Sequence, residues 1–129
     1  MKSLYDPIMP FAMDRLDSGD GHDIYCEQAG NPDGIPVLFL HGGPGSGCNE
    51  NHRRYFNPAI YRVILFDQRG SNRSAPKGAV NNNTTQLLLR DMESIRKLMV
   101  IERWLLFGGS WGSTLALLYA QTHPDRVRA

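Results

Sequence analysis

The run Leu105-Leu106-Phe107-Gly108-Gly109-Ser110-Trp111-Gly112-Ser113-Thr114-Leu115 constrains this chain more than any other stretch. An apolar segment of strand character ends in G-x-S-x-G, and a second apolar segment, carrying Leu115, Leu117, Leu118 and Tyr119, follows with helical character. A strand that passes into a helix over so short a connection must turn very tightly. The turn places Ser110 in a strained backbone conformation and projects its hydroxyl above the sheet. It also requires Gly108 and Gly112, because a Cβ at either would collide as the helix folds back on the strand. The helix that begins there aims its N–H-rich end at the serine, where negative charge would develop during acyl transfer.

Upstream segments fall into a strand and helix alternation. Residues 1–13, with Pro7, Pro10, Phe11 and Met13, read as an extended arm without regular structure. Asp14 to Asp17 and His22 to Ala29 flank Ser18-Gly19-Asp20-Gly21, a turn-forming cluster, and predict a β-hairpin. Val37-Leu38-Phe39-Leu40 and Tyr61 to Phe66 are continuous apolar runs, as expected of strands covered on both faces. Asn81 to Gln86 supply caps for a helix with Leu88, Met92, Ile95, Leu98 and Met99 on its apolar face, which leaves Arg90, Asp91, Glu93, Arg96 and Lys97 to a solvated one. From Val37 to Thr122 the order is βαβ, which calls for a mostly parallel sheet with crossover helices.

Two strand ends carry candidate chemistry besides Ser110. His41-Gly42-Gly43-Pro44-Gly45 cannot be regular structure, and such a loop turns backbone N–H groups toward a common point. An oxyanion hole needs that convergence, with the N–H groups of Gly43 and Trp111 as its donors. A phosphate-binding loop is the rival reading, but neither the G-x-G-x-x-G spacing nor a Walker lysine is present. His41 and Gly42 are expected to hold the loop backbone, since the general base of such a site follows the serine in sequence. His22, His52 and His123 read as hairpin, loop and helix-end residues. Asp67-Gln68-Arg69-Gly70-Ser71-Asn72-Arg73-Ser74 ends the Tyr61 strand, and Asp67 with Arg69 and Arg73 is expected to form an ion-paired brace for the serine and oxyanion loops rather than to act on substrate.

Composition narrows the class. With 129 residues, a formal charge of +1 and 41% hydrophobic residues, the chain suits one soluble globular unit, with neither nucleic acid nor membrane as a partner. The N-terminus has no apolar core of the secretory kind, and a cytoplasmic location is expected. Cys26 and Cys48 fit no metal spacing and read as buried thiols.

These motifs together resemble proline iminopeptidases (prolyl aminopeptidases), a serine peptidase family of the α/β-hydrolase fold. The likeness rests on His41-Gly42-Gly43-Pro44-Gly45, Phe66-Asp67-Gln68-Arg69-Gly70-Ser71, Asn82-Asn83-Thr84-Thr85, Gly108 to Leu117, and Tyr119-Ala120-Gln121-Thr122-His123-Pro124. One position departs: Asn72 stands where the family pattern D-Q-R-G-x-G-R-S has its second glycine. The resemblance implies release of an N-terminal proline from a peptide through an acyl-enzyme on Ser110, with no metal or organic cofactor. It also implies that residues 14–129 are the N-terminal portion of the fold, without the cap and C-terminal strands and without the triad aspartate and histidine. Two expectations follow: the chain alone is not a competent peptidase, and it self-associates through the exposed edge of the strand leading into Ser110. Two other readings stay open, an esterase of the same fold and a non-catalytic remnant or interaction fragment. A dehalogenase or epoxide hydrolase is disfavoured, since those place an aspartate at the elbow.

Overall fold

Turn chemistry fixes the first two strands. In a computed structural model that describes residues 4–42, 47–69, 71, 73–74 and 84–128, β1 (Ala12–Asp17) pairs antiparallel with β2 (Asp23–Gly30), from Ala12 opposite Gln28 to Asp17 opposite Asp23. The connecting turn is closed by the Ser18 N–H donating to the His22 carbonyl at 2.9 Å. β1 starts at Ala12 rather than Asp14, because Ala12 and Met13 find partners in Gln28 and Glu27 although Met13 faces solvent and gives no alternation signal.

The two continuous apolar runs become β3 (Ile35–Leu40) and β4 (Tyr61–Phe66), with Val37 to Leu40 and Val63 to Phe66 buried. After α1 (Thr85–Leu98) comes β5 (Leu105–Gly108), then α2 (Trp111–Thr122). The strand order is β1-β2-β4-β3-β5, antiparallel from β1 through β4 and parallel from β4 to β5. β5 ends the sheet order, and Trp104 just before it forms a single parallel bridge with Val127.

Alternate residues of β3 and β4 feed two cores. Leu38, Leu40, Ile64 and Phe66 join Ile24 and Trp104 beneath both helices, meeting Leu88, Met92 and Ile95 of α1 and Leu115 and Tyr119 of α2. Val37, Phe39, Val63 and Leu65 form a smaller core with Cys48 on the other face. There a 3-10 turn, Glu50–Tyr55, stacks His52 on Phe39 with ring centroids 4.4 Å apart. The N-terminal segment is tied to that turn: the Tyr5 N–H donates to the Arg54 carbonyl at 2.9 Å, and Arg54 Nε donates back to the Tyr5 carbonyl at 2.7 Å. Cys26 and Cys48 are buried thiols, and burial pushes the Cys26 pKa up to about 12.

The solvated face expected for α1 needs correction. Leu98 is 46% exposed while Asp91 and Arg96 are buried. At about 100° per residue Leu98 lies well off the stripe defined by Leu88, Met92 and Ile95, and Met99 takes the core position instead. Arg96 is covered because its guanidinium donates to the Ile101 carbonyl at 2.8 Å and grips Glu93. Asp91 is covered because it receives an arginine from the β4 loop. Among the described residues no helix is long and apolar enough to cross a membrane.

Candidate active site

At the end of β5 the chain makes its sharpest turn. Ser110 has φ 56° and ψ −125°, a region costing a non-glycine residue on the order of 1–3 kcal/mol. Two glycines make the turn geometrically attainable. A Cβ at Gly108 would sit 2.6 Å from the Gly112 carbonyl carbon, and one at Gly112 would sit 2.1 Å from the Leu40 oxygen. The turn closes through the Gly112 N–H donating to the Gly109 carbonyl at 3.0 Å and the Ser113 hydroxyl donating to the Ser110 carbonyl at 2.7 Å. Ser110 is exposed and occupies the N-cap of α2, yet its side chain makes no capping bond. Its hydroxyl is therefore left for other use, beside the partially positive end of α2.

The loop after β3 lies directly alongside. A Cβ at Gly42 would be 3.5 Å from the Ser110 Cβ and 3.3 Å from the Gly109 oxygen. Gly43, the expected oxyanion donor, and Pro44 and Gly45 lie outside the described residues, as does Asn72. His41 is buried, and its Nε2 accepts from the Gln68 backbone N–H at 3.0 Å. A backbone N–H can only donate, so Nε2 holds a lone pair and the ring proton sits on Nδ1, which donates to the Gly42 carbonyl at 3.1 Å. Burial lowers the pKa of this ring from 6.5, in keeping with a neutral imidazole. Both ring nitrogens are thus spent on loop backbone.

Three consecutive residues after β4 reach four other segments: the loop after β3, the start of α2, α1 and the β1–β2 turn. Asp67 is fully buried and accepts from the Cys48 N–H at 2.6 Å and from Arg73 Nε at 2.8 Å, tying down the far side of the loop after β3. The Gln68 side chain donates to the His41 carbonyl at 3.1 Å and accepts from the Trp111 indole at 2.9 Å. Arg69 does not join Asp67: it grips Asp91 of α1 through Nε at 2.5 Å and Nη2 at 2.9 Å, and it donates to Asp20 in the β1–β2 turn at 2.8 Å. The expected Asp67–Arg69–Arg73 brace is split accordingly, with Arg73 on Asp67 and Arg69 turned to the helix. Burial pushes the Asp91 carboxyl up against the pull of Arg69, whereas the hydrogen bond from Arg69 holds Asp20 down at about 2.

A second ionic group backs this loop. Glu27 of β2 is buried and bonded by Arg53, by Arg73 at 3.1 Å and by the Tyr25 hydroxyl at 3.0 Å. Burial alone would raise its pKa, but the Arg53 bonds and charge, with help from Tyr25 and Arg73, hold it below the usual range. The sequence reading passes over Gln68 and Glu27. Gln68 has a visible signal, since it sits between two residues already singled out at a strand end. Glu27 has none, because an acidic residue within a hairpin strand reads as a solvated one. Of the remaining histidines, His22 is buried just before β2, His52 stacks on Phe39, and His123 caps the end of α2 remote from Ser110. Among the described residues no group of three or more His, Cys, Asp or Glu could hold a metal ion.

A strand, a tight serine turn and a helix, with a glycine loop at the neighbouring strand end, form the arrangement of nucleophile-elbow α/β folds. Residues 35–129 match the family model of the alpha/beta hydrolase fold, and the chain belongs to that family. It is 52% identical to a proline iminopeptidase of Arabidopsis thaliana, over 98% of this chain and 33% of that protein. Against proline iminopeptidases of Xylella fastidiosa (strain 9a5c) and Neisseria gonorrhoeae the identities are 55% and 50%, covering 98% and 97% of this chain and 41% and 40% of those proteins. The chain thus spans between 33% and 41% of the length of these relatives. Among solved structures, a proline iminopeptidase-related protein of Thermus thermophilus superposes with a TM-score of 0.76 at 28% identity, over 88% of this chain and 41% of that one. An epoxide hydrolase mutant of Vigna radiata reaches the same TM-score at 24% identity, over 92% of this chain and 36% of that one, a likeness of fold alone.

Proposed function

We propose that this chain is the nucleophile-bearing N-terminal portion of a serine aminopeptidase that releases N-terminal proline from peptides. The arm expected over residues 1–13 gives way to β1 at Ala12, and the chain from β1 onward is the first part of its hydrolase core. The observation that carries the reading is the elbow: an exposed serine at φ 56° with no capping bond, beside the loop after β3, in a chain about half identical to proline iminopeptidases. Ser110 Oγ attacks the prolyl carbonyl carbon, and the N–H groups of Gly43 and Trp111 bind the oxyanion. Collapse of the tetrahedral adduct expels the protonated amine of the shortened peptide, and water then releases proline from the acyl-enzyme. His41, Gly42, Asp67 and Arg69 support this site without touching the reacting atoms. No cofactor enters the scheme, and the protein acts in the cytoplasm.

A serine hydroxyl is a weak nucleophile until a base takes its proton, and His41 has no nitrogen free to serve. The triad aspartate and histidine then come from residues beyond these 129, and the chain alone is a poor catalyst that self-associates through the edge of β5. The test is hydrolysis of a chromogenic proline amide by the 129-residue chain, by its Ser110→Ala variant, and by a form extended with whatever the gene encodes next. Turnover is expected only in the extended form. Turnover by the short chain that vanishes with Ser110→Ala would overturn the assignment of an external base. An extended form that cleaves esters but not the proline amide would favour the esterase reading, and inactivity of every form the non-catalytic one.

A further inference from the structure

We infer that Gln68 is a positioning residue for the oxyanion: its side chain clamps His41, at the end of β3, to Trp111, the residue that follows Ser110, and so fixes where the Trp111 backbone N–H stands relative to the nucleophile. This rests on the serine reading above. Gln68 is 2% exposed, and its amide spans from the His41 carbonyl to the Trp111 indole. The orientation of the amide is forced. An indole N–H can only donate and a carbonyl can only accept, so Oε1 faces Trp111 and Nε2 faces His41. No other uncharged side chain of this reach offers one donor and one acceptor in a single plane. The backbone N–H of the same residue donates to His41 Nε2, so Gln68 grips His41 at both its ring and its carbonyl.

The residue is itself held on both sides. Asp67 is anchored by Cys48 and Arg73, and Arg69 by Asp91 and Asp20, so the peptide between them cannot drift toward either partner. All three of the strand ends that meet here, those of β3, β4 and β5, are therefore joined through one side chain. Packing alone does not ask for this, since an apolar side chain of the same length would fill the space. Donor placement does ask for it, because a backbone N–H stabilises the oxyanion only at hydrogen-bond distance from where that oxygen forms.

The experiment uses the form that turns over proline amide, with Gln68→Met, Trp111→Phe and the double variant. Methionine keeps the length of the side chain and removes both bonds. Phenylalanine removes the indole donor while keeping a ring and the backbone N–H at position 111. Each single variant is expected to lower kcat about 10- to 100-fold with KM within about twofold, since the oxyanion bonds act in the transition state. The double variant is expected to be no worse than the weaker single one, because both cut the same bridge. A kcat unchanged in both single variants, a loss carried entirely by KM, or additive losses in the double variant would overturn the inference and leave the serine reading intact. Inactivity of every form carrying Ser110 would remove the serine reading and this inference with it. If Gln68→Met does not fold, Trp111→Phe decides, with kcat unchanged as the outcome that overturns the clamp.

Discussion

α1 and α2 lie on the same face of the sheet and are built in opposite ways. α1 is held by its own sequence: the Thr84 side chain accepts from the Leu87 N–H at 3.3 Å, Leu88, Met92 and Ile95 make a buried stripe, and Glu93 pairs with Arg96 at 2.7 Å. α2 has neither a side-chain cap nor an ion pair within the helix. It starts at a strained serine that does not cap it, shows no narrow apolar stripe, and leaves Leu117 61% exposed while burying Leu115 and Tyr119. What holds it is position: Leu115 and Tyr119 sit in the main core, and Gly112 lies so close to the end of β3 that no Cβ fits there. The contrast shows where stability is given up. A conventional cap would engage the one hydroxyl that the elbow leaves available.

The largest expected effect attacks that backbone contact. Gly112→Ala brings a Cβ to within 2.1 Å of the Leu40 oxygen, a partner that cannot rotate away, and should destabilise by more than about 3 kcal/mol in denaturant unfolding. A loss below about 1 kcal/mol would mean that α2 is not held by position. Next comes the cap of the other helix: Thr84→Ala should cost about 1 kcal/mol, and Thr84→Ser should restore most of it.

Mild acid should separate the two regions further. Burial lowers the pKa of His41, so between that lowered value and 6.5 the folded chain binds fewer protons than the unfolded one. Stability is then lost as pH falls below about 6.5, on the elbow side first. His52 shifts in the same direction through burial and adds to this stage. Glu93 of α1 behaves differently: burial opposes its ionisation, but the bonds from Arg96 and Tyr119 bring it down to about 2. Its contribution persists until pH drops below about 4.5 and disappears toward about 2. A melting series from pH 7 to pH 3 should show two stages, the first reduced in His41→Asn and the second in Glu93→Gln. The smallest effect is expected at the serine itself. Ser110→Ala should change stability by no more than about 0.5 kcal/mol, in contrast to Thr84→Ala, because there is no capping bond to lose. A loss near 1 kcal/mol would show that the hydroxyl caps α2 after all.

The elbow was legible in the sequence because a hard steric demand writes itself as residue identity: nothing but glycine fits at 108 and 112. The buried strands were legible from their unbroken apolar runs, and the hairpin from its turn residues. Side-chain pairing across distant segments was not. Arg69 met Asp91 and Asp20 rather than Asp67, and Arg96 went into the interior, because a charged residue is buried only where a partner from elsewhere in the chain receives it. Trp104 shows the same limit from the apolar side: fully buried beside Tyr119, it belongs to no periodic run that would have marked it. Gln68 was hidden for a related reason, since what matters about it is the pair of segments it joins.

The strand order also sets a sequence in time. β3 takes β4 on one side and, much later in the chain, β5 on the other, while β2 skips β3 to reach β4. Pairings so distant in sequence are slow to form, because the loop between them must close before any contact offsets its entropy. The strained turn at Ser110 has only its own local bonds, Gly112 N–H to Gly109 and the Ser113 hydroxyl to Ser110, to hold it until the end of β3 packs against Gly112. The nucleophile is thus among the last parts of this sheet to be shaped, and a chain caught early in folding carries the serine without its elbow.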